Sequence, residues 1–248
     1  MADALIFTAH PLSALPALAA GPHKVVHLVR HAQGTHNLAV LQLGGVDGGP
    51  EDEYKNWKWY DARLTPLGEE QARALRPHME QQRVEVVLTS PLSRTVQTAL
   101  LAVPPGPPFV CEDDCRERIG VHPCDKRRSR TELAADFPSL DLSRLAAEED
   151  DKWTEVREPM EALHARAGRF LRVLRARPET FIAVVTHNDF LTMLLFESEL
   201  RLADPALRRK FGNAECMSLV LTWSSVGVSG DSSKGVSNGV SNGAGANP

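Results

Sequence analysis

Residues 25–37 read Val25-Val26-His27-Leu28-Val29-Arg30-His31-Ala32-Gln33-Gly34-Thr35-His36-Asn37. The β-branched and aliphatic run at the start is too short for an ordinary helix. It predicts a buried strand that stops where Arg30 and His31 begin. Two further runs have the same character, Val84-Glu85-Val86-Val87-Leu88 and Phe181-Ile182-Ala183-Val184-Val185. Helical patterns lie between them. Thr65 is a good N-cap with Pro66 at the first helical position, and Ala72, Leu75 and Met79 recur at helix spacing. Ser90 and Pro91 repeat that arrangement ahead of Val96, Ala99 and Leu100, and Pro159 opens a third helix striped by Met160, Leu163, Ala167, Phe170, Leu171 and Leu174. Strands alternating with helices predict the α/β class, a mainly parallel sheet sandwiched by helices. Ligands in such folds bind beyond the carboxyl ends of the strands.

The chain has 248 residues, 42% of them hydrophobic, enough for one sizeable core. Lys+Arg 28 against Asp+Glu 32 leaves a formal charge of -4, which gives no bulk attraction to nucleic acid or to acidic membranes. No apolar run approaches the roughly 20 residues that span a bilayer. Cys111, Cys115, Cys124 and Cys216 lack paired C-x-x-C spacing, so reduced thiols in a cytoplasmic protein are expected. A metal held by Cys111, Cys115, His122 and Cys124 is the weaker reading. Residues 1–22 have no Arg and are broken by Pro11 and Pro16. They read as a flexible or loosely docked leader rather than a secretory signal, with organelle targeting the poorly supported alternative. From residue 224 to 248 a repeated V-S-N-G unit predicts a disordered tail. Residues 23–223 are left as the one folded domain.

Three strand ends carry chemistry. After the first come Arg30 and His31, after the second Ser90-Pro91-Leu92-Ser93-Arg94, and after the third Thr186-His187-Asn188-Asp189. Arg in the first turn of a helix opposes the macrodipole, which is unfavourable unless an anion sits between the guanidinium and the helix N-terminus. The anion that best fits two guanidinium forks, two imidazoles and helix-terminal N–H groups is a phosphoryl group. Hydrolysing its monoesters requires up to about 10²¹-fold acceleration, roughly 28 kcal/mol. Positioning and charge neutralisation must supply most of that. An imidazole nucleophile divides the reaction into two easier displacements, and it is largely deprotonated near neutral pH without an added base. No G-x-x-x-x-G-K-[ST] loop is present for a nucleotide-dependent kinase.

These residues resemble the histidine phosphatase superfamily, the phosphoglycerate mutase-like family. The resemblance rests on Leu28-Val29-Arg30-His31 with Asn37, on Leu64-Thr65-Pro66-Leu67-Gly68 with Gln71-Ala72, on Ser90-Pro91-Leu92-Ser93-Arg94-Thr95 with Gln97-Thr98-Ala99, and on Thr186-His187. It covers about residues 24–222. It implies that His31 is phosphorylated, that Arg30, Arg94 and His187 hold the phosphoryl oxygens, and that Asn37 adds a hydrogen bond. The segment Cys115-Arg116-Glu117-Arg118-Ile119-Gly120 resembles the pattern around the family's proton donor, which assigns Glu117 as general acid and then base, with Asp113 and Asp114 as rivals and an ion pair to Arg116 or Arg118 as the bland alternative. The sequence departs from the family at Ala32, where Gly is common, and at Gly34, where many members place a phosphate-touching hydroxyl. Gln33 or Thr35 are the compensating candidates. Asn188-Asp189 stands where a Gly-rich pair is frequent.

Residues 112–153 are expected to overhang the crevice as a lid. They hold the densest basic run, Asp125-Lys126-Arg127-Arg128-Ser129-Arg130, so Lys126, Arg127 and Arg128 are candidates for a second anionic group of the substrate, against a solvated face. The wording from Val121 to Arg128 resembles the phosphoglycerate mutase-like proteins of plants, algae and fungi. The expected activity is metal-independent and cofactor-free hydrolysis of a small acidic phosphorylated metabolite through a phosphohistidine. A mutase-type phosphotransferase and a non-catalytic phosphate- or phosphoprotein-binding module are the alternatives.

Overall fold

Alternate residues of the three expected strands feed two different cores. The computed structural model describes residues 5–44 and 51–225. Its strands are β1 (Leu5–Pro11), β2 (His23–Arg30), β3 (Val86–Thr89), β4 (Phe109–Cys111), β5 (Leu140–Asp141), β6 (Phe181–Thr186), β7 (Leu200–Leu202) and β8 (Cys216–Ser225). They form one sheet in the order β5-β4-β3-β6-β2-β8-β1-β7. Among the described residues β8 runs antiparallel to its neighbours β1 and β2, and the other pairings are parallel. The expected mainly parallel sheet is therefore present.

Val26 and Leu28 of β2, with Ile182 and Val184 of β6, face one core, whereas Val29, Ala183 and Val185 face the other. A strand buried on both faces has no polar side to alternate with, which is why these runs are nearly all aliphatic. The helices used below, among several shorter ones, are α1 (Thr35–Gln42), α2 (Pro66–Glu80), α3 (Ser93–Ala102), α4 (Met160–Ala176) and α5 (Asn188–Thr192). α4 covers the first core with Leu163, Ala167, Phe170, Leu171 and Leu174, and α2 and α3 cover the second with Met79, Val96 and Ala99. Thr65 caps α2 as expected, its Oγ1 accepting from the Gly68 N–H at 2.9 Å. Ser90 does not cap α3. The helix starts at Ser93, whose N–H donates to the buried Asp61 carboxylate at 2.8 Å, a partner 32 residues away that local sequence cannot reveal.

The leader requires correction. Leu5–Pro11 is a strand of the sheet, antiparallel to β8 and parallel to β7, with Phe7 and Ala9 fully buried. Pro11 ends this strand and Pro16 lies in a short helix, so the two prolines punctuate the segment without preventing it from folding. Phe7→Ala should lower the unfolding free energy by about 3–5 kcal/mol in urea titration. A loss below about 1 kcal/mol would mean that β1 is only loosely docked. Ser224 and Ser225, assigned to the tail, end β8, and the rest of that tail lies outside the described residues. Residues 112–153, expected as a lid, are built into the sheet and its core. Leu133, Phe137, Leu140, Leu142 and Leu145 pack into the second core, and β5 is the sheet edge beside β4. No helix among the described residues is long and apolar enough to cross a membrane.

Candidate active site

The ladder itself sets the centre of the site. β2 and β6 are parallel neighbours in the register Arg30↔Thr186, and the His31 N–H continues the pairing to the Thr186 carbonyl at 2.9 Å. The next residue of each strand, His31 and His187, therefore emerges beside the other, with ring centroids 5.1 Å apart. The turn after β3 brings Arg94 between them. Its Nε donates to His31 Nε2 at 3.3 Å and its Nη2 to His187 Nδ1 at 3.1 Å. His31 and Arg94 line one cavity of about 110 Å³ with Arg30, His36, Asn37, Glu117, Asp125 and others, and His187 lies fully buried behind them. That is well under the roughly 300–1,000 Å³ of a pocket that encloses a drug-sized ligand. It suits a group the size of a tetrahedral anion, with the remainder of a ligand outside.

The loop that carries His31 is clamped by the residues of the second and third motifs. Thr98 Oγ1 accepts from the Ala32 N–H at 3.0 Å, Gln71 Oε1 from the Gln33 N–H at 2.9 Å, and Gln97 Oε1 from the Leu64 N–H at 2.9 Å. Gly68 must be glycine, because a Cβ there would lie 2.1 Å from the Gln33 carbonyl oxygen. Gly68, Gln71, Gln97 and Thr98 position the loop and do not line the cavity.

Hydrogen bonds fix the imidazole tautomers. The Ala32 carbonyl, 2.8 Å from His31 Nδ1, can only accept, so the proton is on Nδ1 and the lone pair on Nε2. Arg94 can only donate, so His187 Nδ1 holds a lone pair, and Nε2–H donates to Ser90 Oγ at 2.8 Å. Burial, reinforced by the Arg94 charge, holds His31, His36 and His187 well below the ordinary imidazole range, so all three are neutral at neutral pH. Arg94 is itself anchored, by the Cys124 carbonyl and by Asp125 Oδ1 at 2.9 Å. The anion that balances this helix-N-terminal arginine in the protein alone is Asp125, whose carboxyl Arg94, Arg157 and His122 hold far below the usual carboxylate range despite its burial.

Glu117 faces the opposite situation. It is buried, and burial together with the charges of Asp189 and Asp125 pushes its carboxyl up to about 8. The backbone N–H groups of Arg118 and Asp189 hold it in place, at 2.9 and 3.2 Å. It makes no pair with Arg116, which is committed to Asp150, nor with Arg118, which donates to the Glu158 carbonyl. The rivals lie elsewhere, Asp113 with Lys152 and Arg116, and Asp114 with Arg169. At the rim Arg157 reaches Asp125 at 2.9 Å and Asp189 at 3.7 Å.

Arg30, His31, Asn37, Arg94 and Glu117, expected from the sequence, line this cavity, and His187 joins them through its contacts with Arg94 and His31 without lining it. Asn37 has its Oδ1 on the Gly34 N–H at 2.9 Å, which leaves its amide N–H₂ as the donor. Lys126, Arg127 and Arg128 do not line it, and the expectation that they meet the substrate is corrected. Arg127 is buried and gives its guanidinium to the carbonyls of Ala147, Arg128, Glu148 and Glu149. Arg128 pairs with the buried Asp61 at 3.1 Å, and Lys126 sits over the rings of Trp57 and Trp153. The partners of this run are distant in sequence, so composition alone suggested a free basic patch. Gln33 and Thr35 do not line the cavity either, and Gln33 Oε1 accepts from Thr65 Oγ1 at 2.8 Å. Sequence reasoning missed His36, Tyr54 and Arg157 as lining residues, and it placed His122, Cys124 and Asp125 in other roles. Among the described residues no group of three His, Cys, Asp or Glu side chains is placed to hold a metal ion.

Comparison with known proteins agrees with this geometry. The family described as "Histidine phosphatase superfamily (branch 1)" matches residues 26–228. "Phosphoglycerate mutase-like protein 1" of Arabidopsis thaliana is 36% identical over 241 residues, covering 80% of this chain and 81% of its own. A phosphoglycerate mutase from Bacillus anthracis shares the fold, with a TM-score of 0.51, 17% identity, and coverage of 82% of this chain and 92% of its own. So does the alpha-ribazole phosphatase from Shigella flexneri, with a TM-score of 0.50, 19% identity, and coverage of 78% and 89%.

Proposed function

The chain belongs to the histidine phosphatase superfamily, branch 1, and from that premise we propose that it hydrolyses a small phosphorylated metabolite through a phosphohistidine on His31. The observation that carries this reading is the His31 ring. Its Nδ1–H is tied to the Ala32 carbonyl, so a neutral imidazole turns its Nε2 lone pair toward Arg94 inside a cavity that also holds a protonated carboxyl. The 3.3 Å contact from Arg94 is long for a hydrogen bond, and a phosphoryl oxygen displaces it readily.

In the first step His31 Nε2 attacks phosphorus while the ester P–O bond breaks. Arg30 and Arg94 neutralise the equatorial oxygens, His187 and the Asn37 amide complete their binding, and Glu117 gives its proton to the departing oxygen. Binding of the substrate requires His187 to turn a donor toward it, a change of partner that Ser90 Oγ, able to donate or accept, permits. In the second step Glu117, now a carboxylate, takes a proton from water as that water attacks phosphorus. The P–N bond breaks, inorganic phosphate leaves, and His31 and Glu117 return to their starting states. Each step is served by side chains of this chain, and turnover in the presence of a chelator is expected. With Lys126–Arg128 engaged elsewhere, Arg157 is the rim cation that an acidic group on the substrate would meet, in exchange for its looser partner Asp189.

A panel of phosphorylated metabolites, assayed with chelator for inorganic phosphate and for transfer between the positions of phosphoglycerate, tests this reading. Phosphate release is the expected result. Transfer without release would make the protein a mutase, and phosphate binding with neither reaction would make it a binding module.

A further inference from the structure

We propose that His36 is a further substrate-binding residue, its Nε2–H donating to a non-bridging oxygen of the phosphoryl group; this rests on the phosphomonoesterase reading above and assigns it one more ligand. His36 follows His31 by five residues in the first turn of α1, is 4% exposed, and lines the same cavity with its ring centroid 6.0 Å from that of His31. Among the described residues neither of its ring nitrogens makes a hydrogen bond, and Nδ1 is fully buried without a partner. A ring that served packing alone would be more stable as a hydrocarbon, since a buried polar atom left unpaired carries its full desolvation penalty. In this assignment Nδ1 stays unpaired, and it is Nε2, which is not among the fully buried unpaired atoms, that a ligand in the cavity can reach.

The backbone is shaped around this ring. A Cβ at position 34 would lie 2.6 Å from His36 Cε1 and 2.7 Å from His36 Nδ1, so the imidazole occupies the space a side chain at position 34 would need. Gly34 is extended, at φ -88°, where any residue is allowed, so its glycine is explained by the close approach of His36 and not by backbone strain. The absence of a hydroxyl at position 34 and the presence of an imidazole beside it are thus one structural fact. The same contact decides the tautomer. The nitrogen pressed against Gly34 has nothing to donate to, and an orphaned buried N–H is rarer than an orphaned lone pair, so the proton belongs on Nε2. Burial and the Arg94 charge keep the ring neutral, which leaves a single donor for the cavity. The groups facing it are Arg94, Arg30, Asp125 and His122, together with the Tyr54 ring 6.1 Å away, and none of them takes up that donor. A phosphoryl group held between His31 and Arg94 brings an oxygen to it.

Calorimetric titration with inorganic phosphate and with orthovanadate, on wild type, His36→Phe and His36→Gln, tests the assignment without requiring turnover. Phe fills the ring volume without a donor and should weaken both anions roughly 10- to 100-fold, the range for a hydrogen bond to a charged group. Gln keeps an N–H and should stay within about threefold of wild type. In assays of p-nitrophenyl phosphate the Phe variant should raise KM more than it lowers kcat. Anion affinity unchanged in Phe, or weakened equally in Phe and Gln, overturns the proposal; if the Phe variant does not fold, His36→Met replaces it in the same comparison. The two readings fail separately. Loss of the hydrolase reading shows as no His31-dependent phosphate release from wild type, whereas loss of this one shows as intact phosphate affinity in His36→Phe.

Discussion

His31→Ala is expected to reduce kcat/KM for any phosphomonoester substrate by about 10⁴-fold or more, the scale seen when a covalent nucleophile is removed. The loss should fall on kcat, because Arg30, Arg94, Asn37 and His36 still surround the cavity and can still bind the phosphoryl group. Removing the ring also releases Arg94 Nε from its 3.3 Å contact, which favours anion binding if it changes it at all. The variant should therefore bind inorganic phosphate about as well as wild type while turning over almost nothing. Initial rates and phosphate titration on the same preparation check this. Near wild-type phosphate release by His31→Ala would remove the covalent mechanism.

Glu117→Gln is expected to slow hydrolysis of alkyl phosphates by about 10²- to 10⁴-fold, the usual contribution of a general acid. An aryl phosphate whose leaving oxygen departs without a proton should be affected less. The pH dependence follows from the carboxyl pushed up to about 8. Below that pH Glu117 carries the proton that the leaving group needs, so wild-type kcat/KM should fall as pH rises through about 8, and the Gln variant should lack that limb. Stability should fall with rising pH as well. A carboxyl raised in the folded state binds a proton more tightly than the unfolded chain does, so wild type loses stability as pH rises from its ordinary value of 4.5 toward about 8. Gln cannot ionise and is free of that loss, so the slower variant should melt higher near neutral pH. A pH–rate profile and thermal melts at several pH values check both halves, and a variant that is both slow and less stable near pH 8 would mean that Glu117 is held as a structural anion.

The features legible in the sequence were those encoded by contiguous residues. The aliphatic runs around Val26, Val87 and Ile182 could pack only as strands buried on both faces, and the residues at their ends then had to meet at one edge. The register that sets His31 beside His187 came from the fold itself. Glu117 was found through a resemblance, since a lone Glu among arginines carries no local mark of its burial.

What escaped reading depends on partners far away in the chain. β1 was hidden by Pro11 at its end and Pro16 just beyond it, and its place in the sheet is set by β8, more than 200 residues later. The basic run at Lys126–Arg128 resembled a free patch, yet carbonyls of Ala147, Glu148 and Glu149 consume Arg127 and the buried Asp61 consumes much of Arg128. Asp125 sat at the head of that run and was passed over, although it fixes both Arg94 and Arg157. His36 gave no signal between Thr35 and Asn37, because its meaning lies in the cavity wall and in the missing side chain of Gly34.

Rapid acid-free quenching of wild type with a ³²P-labelled substrate, followed by peptide mapping, tests the central claim most directly. Label should appear on the peptide containing His31, stable in base and lost in acid, and should chase to inorganic phosphate when unlabelled substrate is added. Label on a different residue, or acid-stable label that does not chase while phosphate is released, would contradict it.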